Sequence, residues 1–281
     1  MYRDILKDKI IAIDKSITDR GKDMLLEEFD INDEPIINPW DLQKKVEGMP
    51  TVAVTCFSKQ GFDKMLEILD VEAMDCKGTC DDTSPIYKVR YKGEDIAFYR
   101  SPIGSVGAGS DLEKIYAMGV EKVVAYGSCG VLDKSIDDCA IIIPTSAMRD
   151  EGMSYHYAPA SDEIEVNLRY VPEFKQLLDE RSIPYKTGKV WTTDGFYRET
   201  RAKMERRKAA GCICVDMECS AFAAIAKFRC KDLFHFFYAE DNLDNEKWDR
   251  RSLGKDINLT NKDQISLLAF ELAARLNDID K

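Results

Sequence analysis

The stretch from Gly211 to Asp244, GCICVDMECSAFAAIAKFRCKDLFHFFYAEDNLD, decides the fold. It opens with the apolar run Cys212 to Val215 and then sets two carboxylates, Asp216 and Glu218, on either side of Met217. Ala221, Phe222, Ile225 and Phe228 follow at helical spacing. A second apolar run, Leu233 to Ala239, ends on Glu240, Asp241 and Asn242. The order is strand, acidic turn, helix, strand, acidic turn: a βαβ unit with carboxylates at the C-terminal end of both strands. In open α/β sheets ligands bind at that edge. Each acid also has a plain structural reading. Asp216 suits a helix N-cap, Glu218 in the first turn favours the helix dipole, and Asp241 can be a solvated strand end.

Outward from this unit the chain repeats the pattern. Thr51 to Phe57, Glu94 to Arg100, Glu121 to Tyr126, Cys139 to Ile143 and Lys186 to Thr192 read as strands, and Pro172 to Glu180 as a helix. Lys92-Gly93 supplies turn chemistry before one strand, and Pro144 closes another. Gly104-Ser-Val-Gly-Ala-Gly109 precedes Ser110-Asp-Leu-Glu113, whose capping-box spacing places a helix start at Ser110. Glycines ahead of a helix can cradle an anion or simply form a tight turn. Thr260, with Asp263 three residues on, caps a C-terminal packing helix marked by Ile265, Leu268, Leu272 and Leu276. The fold class expected is α/β, a single domain over 49–281 with a central twisted mixed sheet flanked by helices. Residues 1–48, charged and helical in period around Ile5 to Ile17 and Met24 to Phe29, read as an N-terminal extension, largely helical.

Composition narrows the function. The 281 residues carry 40 basic and 51 acidic side chains, a net charge of −11, which disfavours nucleic acid and anionic membranes as partners. No apolar run approaches the roughly 20 residues of a membrane span, and the charged N-terminus lacks a signal-peptide core, so a cytoplasmic protein is expected. Nine cysteines and two histidines do not suggest a disulfide framework. Cys212-x-Cys214 and Cys76-x3-Cys80 lack CxxC spacing and a histidine cluster, so no metal is expected.

Several motifs resemble the nucleoside phosphorylase family of purine nucleoside and uridine phosphorylases. Asp216-Met217-Glu218 is similar to that family's Glu-Met-Glu corner. Gly127-Ser-Cys-Gly130 resembles its Gly-Ser/Thr-x-Gly turn. Arg149, Glu151, Gly152, Ser154, His156, Ala158 and Pro159 lie in a segment like that of uridine phosphorylases, and Asp194-Gly-Phe196-Tyr197 is like the family's Asp-x-Phe-Tyr. The resemblance implies that Glu218 accepts from the ribose hydroxyls, Met217 packs on the sugar, Phe196 stacks on the base, and Gly127 and Ser128 bind phosphate. It implies that Asp241 is the acid that protonates purine N7. Glu199-Thr-Arg201 stands near the family's Gln-x-Arg, so Glu199 and Arg201 are candidates for the base edge, with a carboxylate favouring a donor edge. Phe196 could equally fill the core, and Arg149, Glu151 and His156 could be structural.

The implied reaction is cleavage of a nucleoside, by preference a purine nucleoside, with inorganic phosphate as co-substrate and no other cofactor, in a homo-oligomer (dimer or hexamer). Two departures bear on phosphate. The family's Gly-Asp-Pro-x-Arg loop is replaced by Thr55-Cys-Phe-Ser-Lys-Gln-Gly61, and a phosphate arginine by Ala125. Lys59, Arg100 or the Gly104–Gly109 segment could substitute. The alternatives are a hydrolytic nucleosidase and an inert nucleoside-binding protein.

Overall fold

The computed structural model describes residues 25–31, 34–78 and 83–278. The periodicity around Ile5 to Ile17, Met24 and Cys80 lie outside the described residues. The strands are β1 Val52–Cys56, β2 Asp70–Gly78, β3 Thr83–Tyr91, β4 Glu94–Arg100, β5 Lys122–Val131, β6 Ile141–Asp150, β7 Glu163–Glu165, β8 Tyr185–Thr193, β9 Cys212–Asp216 and β10 Asp232–Asn242. The α-helices are α1 Pro39–Leu42, α2 Lys59–Ile68, α3 Ser105–Met118, α4 Val171–Glu180, α5 Arg201–Ala209, α6 Cys219–Phe228 and α7 Leu259–Asp278. All ten strands join one mixed sheet in the order β10-β6-β8-β9-β5-β1-β4-β3-β2, with β7 on β6. A further pairing of β10 with β5 turns the first five strands into a closed ring. β1, β4, β3 and β2 extend from it as an open wing.

Helices cover both faces. On one, α2, α4 and α7 pack Phe62, Phe174, Leu177, Leu268 and Phe270 against Phe98, Phe234 and Phe236 of the sheet. On the other, α3 and α6 place Leu112, Ile115, Phe222 and Ile225 against Ala53, Val123 and Leu233. Each fully buried side chain of this size contributes about 1.5–3 kcal/mol.

Several expectations change once pairing is seen. β9 and β10 are not a parallel βαβ pair: β9 runs antiparallel to β5, while β10 runs parallel to it. Gly127 to Gly130 is strand rather than turn, because β10 pairs alongside β5 through Val131 and β9 joins at Gly130 and Val131. Pro144 does not end β6, since the strand passes it through an irregularity between Pro144 and Ala147. The helix placed at Ser110 begins at Ser105, with Gly104 (φ +96) as its N-cap. Ser110 donates instead to Val106 O one turn back. Gly109 lies inside α3 for a packing reason. A Cβ there would sit 2.7 Å from Ile225 Cδ1 of α6, so glycine allows the two helices to close on each other. The Lys92-Gly93 turn has positive φ at both residues, as a two-residue hairpin between β3 and β4 requires.

Candidate active site

Although β9 and β10 run in opposite senses, their C-terminal ends overlap at one point. Gly130 of β5 pairs with Val215 of β9 and with Asp241 of β10. A Cβ at Gly130 would meet Asp241 Oδ1 at 3.0 Å and Val215 Cγ1 at 3.2 Å, so only glycine lets both acidic ends approach. The β10 register shifts between Ala239 and Asp241, a bulge that re-aims the side chains beyond it.

The Asp216-Met217-Glu218 corner is fixed from several sides. Asp216 Oδ2 accepts from the amides of Glu218 (2.9 Å) and Cys219 (2.7 Å), which satisfies free donors at the start of α6. Its Oδ1 accepts from the Thr192 hydroxyl at 2.7 Å. Glu218 Oε1 accepts from Gly104 N at 2.6 Å, and Met217 O from Ser105 Oγ at 2.6 Å. The start of α3 is therefore bolted to the corner. Burial, and then the charge of neighbouring Asp216, push the Glu218 carboxyl upward. Burial also raises Asp216, opposed by its three hydrogen bonds.

On the opposite side of Gly130, Asp241 Oδ2 accepts from Trp248 Nε1 at 2.7 Å. Burial raises its carboxyl, and the Trp248 bond opposes that. Glu199 is half-buried beside it: burial, followed by the Asp241 charge, pushes Glu199 up to about 7. Arg201 caps none of these acids. Its guanidinium donates to the carbonyls of Leu243 (2.9 Å), Asn245 (2.5 Å) and Glu246 (3.2 Å), tying α5 to the segment after β10. Phe196 is half-exposed and lies 4.0 Å, centroid to centroid, from Tyr197.

Ser128 is exposed on β5 and opens into a cavity of about 330 Å³ whose wall carries Ser58, Lys64, Lys255 and Lys262. Lys262 is ion-paired with Glu240 there. Gly127 faces the other way, with the Phe57 ring 2.7 Å from where its Cβ would be. Arg149 is an organiser of its own segment. It donates to Ser154 Oγ (2.8 Å), Pro159 O (2.6 Å) and Ser161 Oγ (2.9 Å). Glu151 accepts from Ser220 Oγ at 2.8 Å, and Ser220 N donates to Thr192 Oγ1 at 3.1 Å, so a buried polar chain runs from β6 to Asp216. His156 is exposed. The sequence reading missed Trp248, Ser105 and Thr192. Trp248 lies in an irregular segment with no periodicity to flag it, and the other two act only through tertiary contacts.

The sequence and the fold both have known counterparts. The phosphorylase superfamily model of purine and uridine phosphorylases matches residues 51–267. A guanosine phosphorylase from Halorubrum lacusprofundi is 23% identical over 156 residues, 53% of this chain and 65% of that protein. A DeoD-type purine nucleoside phosphorylase from Brevibacillus brevis is 26% identical over 148 residues, 48% of this chain and 59% of its own. The chain thus spans less than two thirds of the length of these two relatives. Among solved structures, uridine phosphorylase from Vibrio fischeri superposes with a TM-score of 0.70 at 20% identity, covering 83% of this chain and 95% of that one. Purine nucleoside phosphorylase from Toxoplasma gondii gives 0.68 at 16% identity, covering 81% and 91%. With its mixed sheet, its flanking helices and a family match across most of its length, the chain belongs to the phosphorylase superfamily.

Proposed function

We propose that the chain is a nucleoside phosphorylase that cleaves the N-glycosidic bond of a purine nucleoside to give free base and ribose 1-phosphate. The observation that carries this reading is the meeting of the Asp216–Glu218 corner and Asp241 at Gly130, with Glu199 beside Asp241. In the reaction, a phosphate oxygen attacks C1′ as the C1′–N9 bond breaks. The electron pair of that bond moves into the purine, and Asp241 delivers a proton to N7. An acid raised by burial suits that role. Glu218, held by Gly104 N, receives the ribose hydroxyls and fixes the ring, while Met217 packs on the sugar. Phe196 stacks on the base, and Glu199 with Arg201 borders its edge.

Phosphate is taken by Ser128 from the cavity side, with Gly127 contributing only its backbone, since the Phe57 ring covers its other face. The lysines of the adjoining cavity, Lys64, Lys255 and Lys262, stand in for the family's arginines. No cofactor besides phosphate is needed. The protein works as a homo-oligomer, a reading supported by the exposed apolar side chains Leu25, Ile36, Ile37 and Leu42 ahead of β1. No helix among the described residues is long and apolar enough to cross a membrane.

A second reading, hydrolysis, is favoured by Phe57, whose ring fills the space against Gly127 where an anion would approach the backbone. The two are separated by measuring base release from inosine, adenosine, guanosine and uridine with and without phosphate. Phosphate-dependent release of a purine base with ribose 1-phosphate supports the proposal. Equal rates without phosphate make the protein a nucleosidase, and binding without release makes it an inert nucleoside-binding protein.

A further inference from the structure

Two buried side chains next to the acidic corner have no part in the reaction proposed above. His235 projects inward from β10, 4% exposed, and neither ring nitrogen has a hydrogen-bond partner among the described residues. The rings of Phe57, Phe222 and Phe237 surround it, with centroids at 6.0, 5.6 and 4.2 Å. Buried polar groups are almost always paired, so an imidazole with both nitrogens unpaired calls for a ligand. Cys219, the first residue of α6, is 1% exposed. One ligand atom each from Asp216, Cys219 and His235 lies within 4.8 Å of the others.

We infer that Asp216, Cys219 and His235 form a binding site for a divalent transition-metal ion of the zinc class. The donor set of carboxylate oxygen, thiolate sulfur and imidazole nitrogen is one that zinc accepts. Charge balance supports it: one carboxylate and one thiolate neutralise a divalent ion, leaving no net charge among the surrounding phenylalanines. Binding releases the Cys219 thiol proton to solvent. Around a tetrahedral zinc, bonds of about 2.0–2.3 Å set ligand atoms roughly 3.3–3.8 Å apart, so the three side chains must close inward by up to roughly 1.5 Å to hold the ion.

Asp216 is already positioned by the hydroxyl of Thr192 and the amides of Glu218 and Cys219, the kind of outer contact that orients metal ligands. An entry path exists as well. Cys219 and His235 line a cavity of about 1030 Å³ together with Ala223, with Arg169 and Lys231 also on its wall. The fourth position of a tetrahedral ion can face that cavity and hold water. Such an ion clamps β9, the start of α6 and β10 to one another. The inference does not depend on which nucleoside reaction the protein performs.

The test uses the full chain, freed of metal with a chelator under reducing conditions and titrated with cobalt(II) followed by zinc(II). Thiolate-to-cobalt charge-transfer absorption is expected to saturate near one ion per chain and to be displaced by zinc. Cys219→Ser should abolish that absorption, and His235→Gln should weaken cobalt binding by at least ~10-fold. A wild-type chain without the absorption overturns the inference. So does an absorption unchanged in Cys219→Ser, which would assign it to another cysteine. Should either variant fold poorly, the wild-type melting midpoint decides: it must rise with added zinc, and a midpoint indifferent to zinc overturns the site.

Discussion

Gly130→Ala tests the convergence on which the active-site reading depends. An alanine Cβ there would lie 2.6 Å from Leu243 Cδ1, 3.0 Å from Asp241 Oδ1 and 3.2 Å from Val215 Cγ1. The Leu243 methyl ends a flexible side chain and can turn aside. Val215 is fixed in β9, so the remaining strain falls on the Asp241 carboxylate and its bond to Trp248. Overpacking of this kind costs about 1–3 kcal/mol, which lowers the melting midpoint by roughly 2–4 °C per kcal/mol. The kinetic effect is separate. Misplacing a catalytic group by about 1 Å costs on the order of 100-fold, so a shift of a few tenths of an ångström predicts a kcat loss of roughly 3–10-fold with a purine nucleoside. Gly188→Ala is the control, because its Cβ would press on Ile213 atoms at 2.6, 2.7 and 2.9 Å and touch no candidate site residue. It should lose comparable stability and keep its kcat. Steady-state rates with inosine and phosphate, paired with thermal melts, measure both. Equal kcat in the two variants would refute the argument that Asp241 takes part in the reaction.

Three further outcomes follow from the same structure. Glu199 is raised from 4.5 to about 7, so between those values the unfolded chain has released a proton that the folded chain still holds, and stability falls as pH rises through that window. Urea unfolding at several pH values should show a fall of at most about 3 kcal/mol that is absent in Glu199→Gln; the same slope in both would assign it elsewhere. Trp248→Phe removes the donor that favours the charged form of Asp241, so the alkaline limb of kcat should move to higher pH by up to about one unit, a discount for the exposure of Trp248 included. An unmoved limb would remove Asp241 from the proton transfer. Arg229 Nε and its terminal nitrogen hold Glu113 at 2.7–2.9 Å with both side chains buried, joining α3 to the end of α6. Glu113→Ala leaves a buried guanidinium unpaired and should cost about 3–5 kcal/mol in denaturant unfolding, and a loss below ~1 kcal/mol would show that water replaces the carboxylate.

What was legible in the sequence was what local spacing controls. Glu94–Arg100 is recovered residue for residue because an apolar run is bounded by the Lys92-Gly93 turn, and the turn and the strand depend on neighbours in sequence. β2 and β3 escaped notice because their side chains are mixed: Lys88 and Arg90 of β3 sit among its apolar residues, paired with Glu72 and Asp95. An edge wing of this kind has no continuous apolar run to announce it. Gly127 to Gly130 misleads for the opposite reason. Glycine is the ordinary signal of a turn, yet here it admits a phenylalanine ring at one end and two strand termini at the other, and both demands come from residues distant in sequence. Gly109 was read as part of a possible anion loop when its role is to let Ile225 approach. The candidate site divides along the same line. Its acids stand at strand ends that hydrophobic patterning can find, so Asp216, Glu218 and Asp241 could be named in advance. Their partners come from elsewhere in the chain: Thr192 through the parallel pairing of β8 with β9, Gly104 N from the start of α3, and Trp248 and Glu199 from segments outside the strands. His235 makes the point most sharply. In sequence it is a lone histidine in an aromatic strand with no metal spacing, and only the crossing of β9 over the end of β5 brings Asp216 and Cys219 to it.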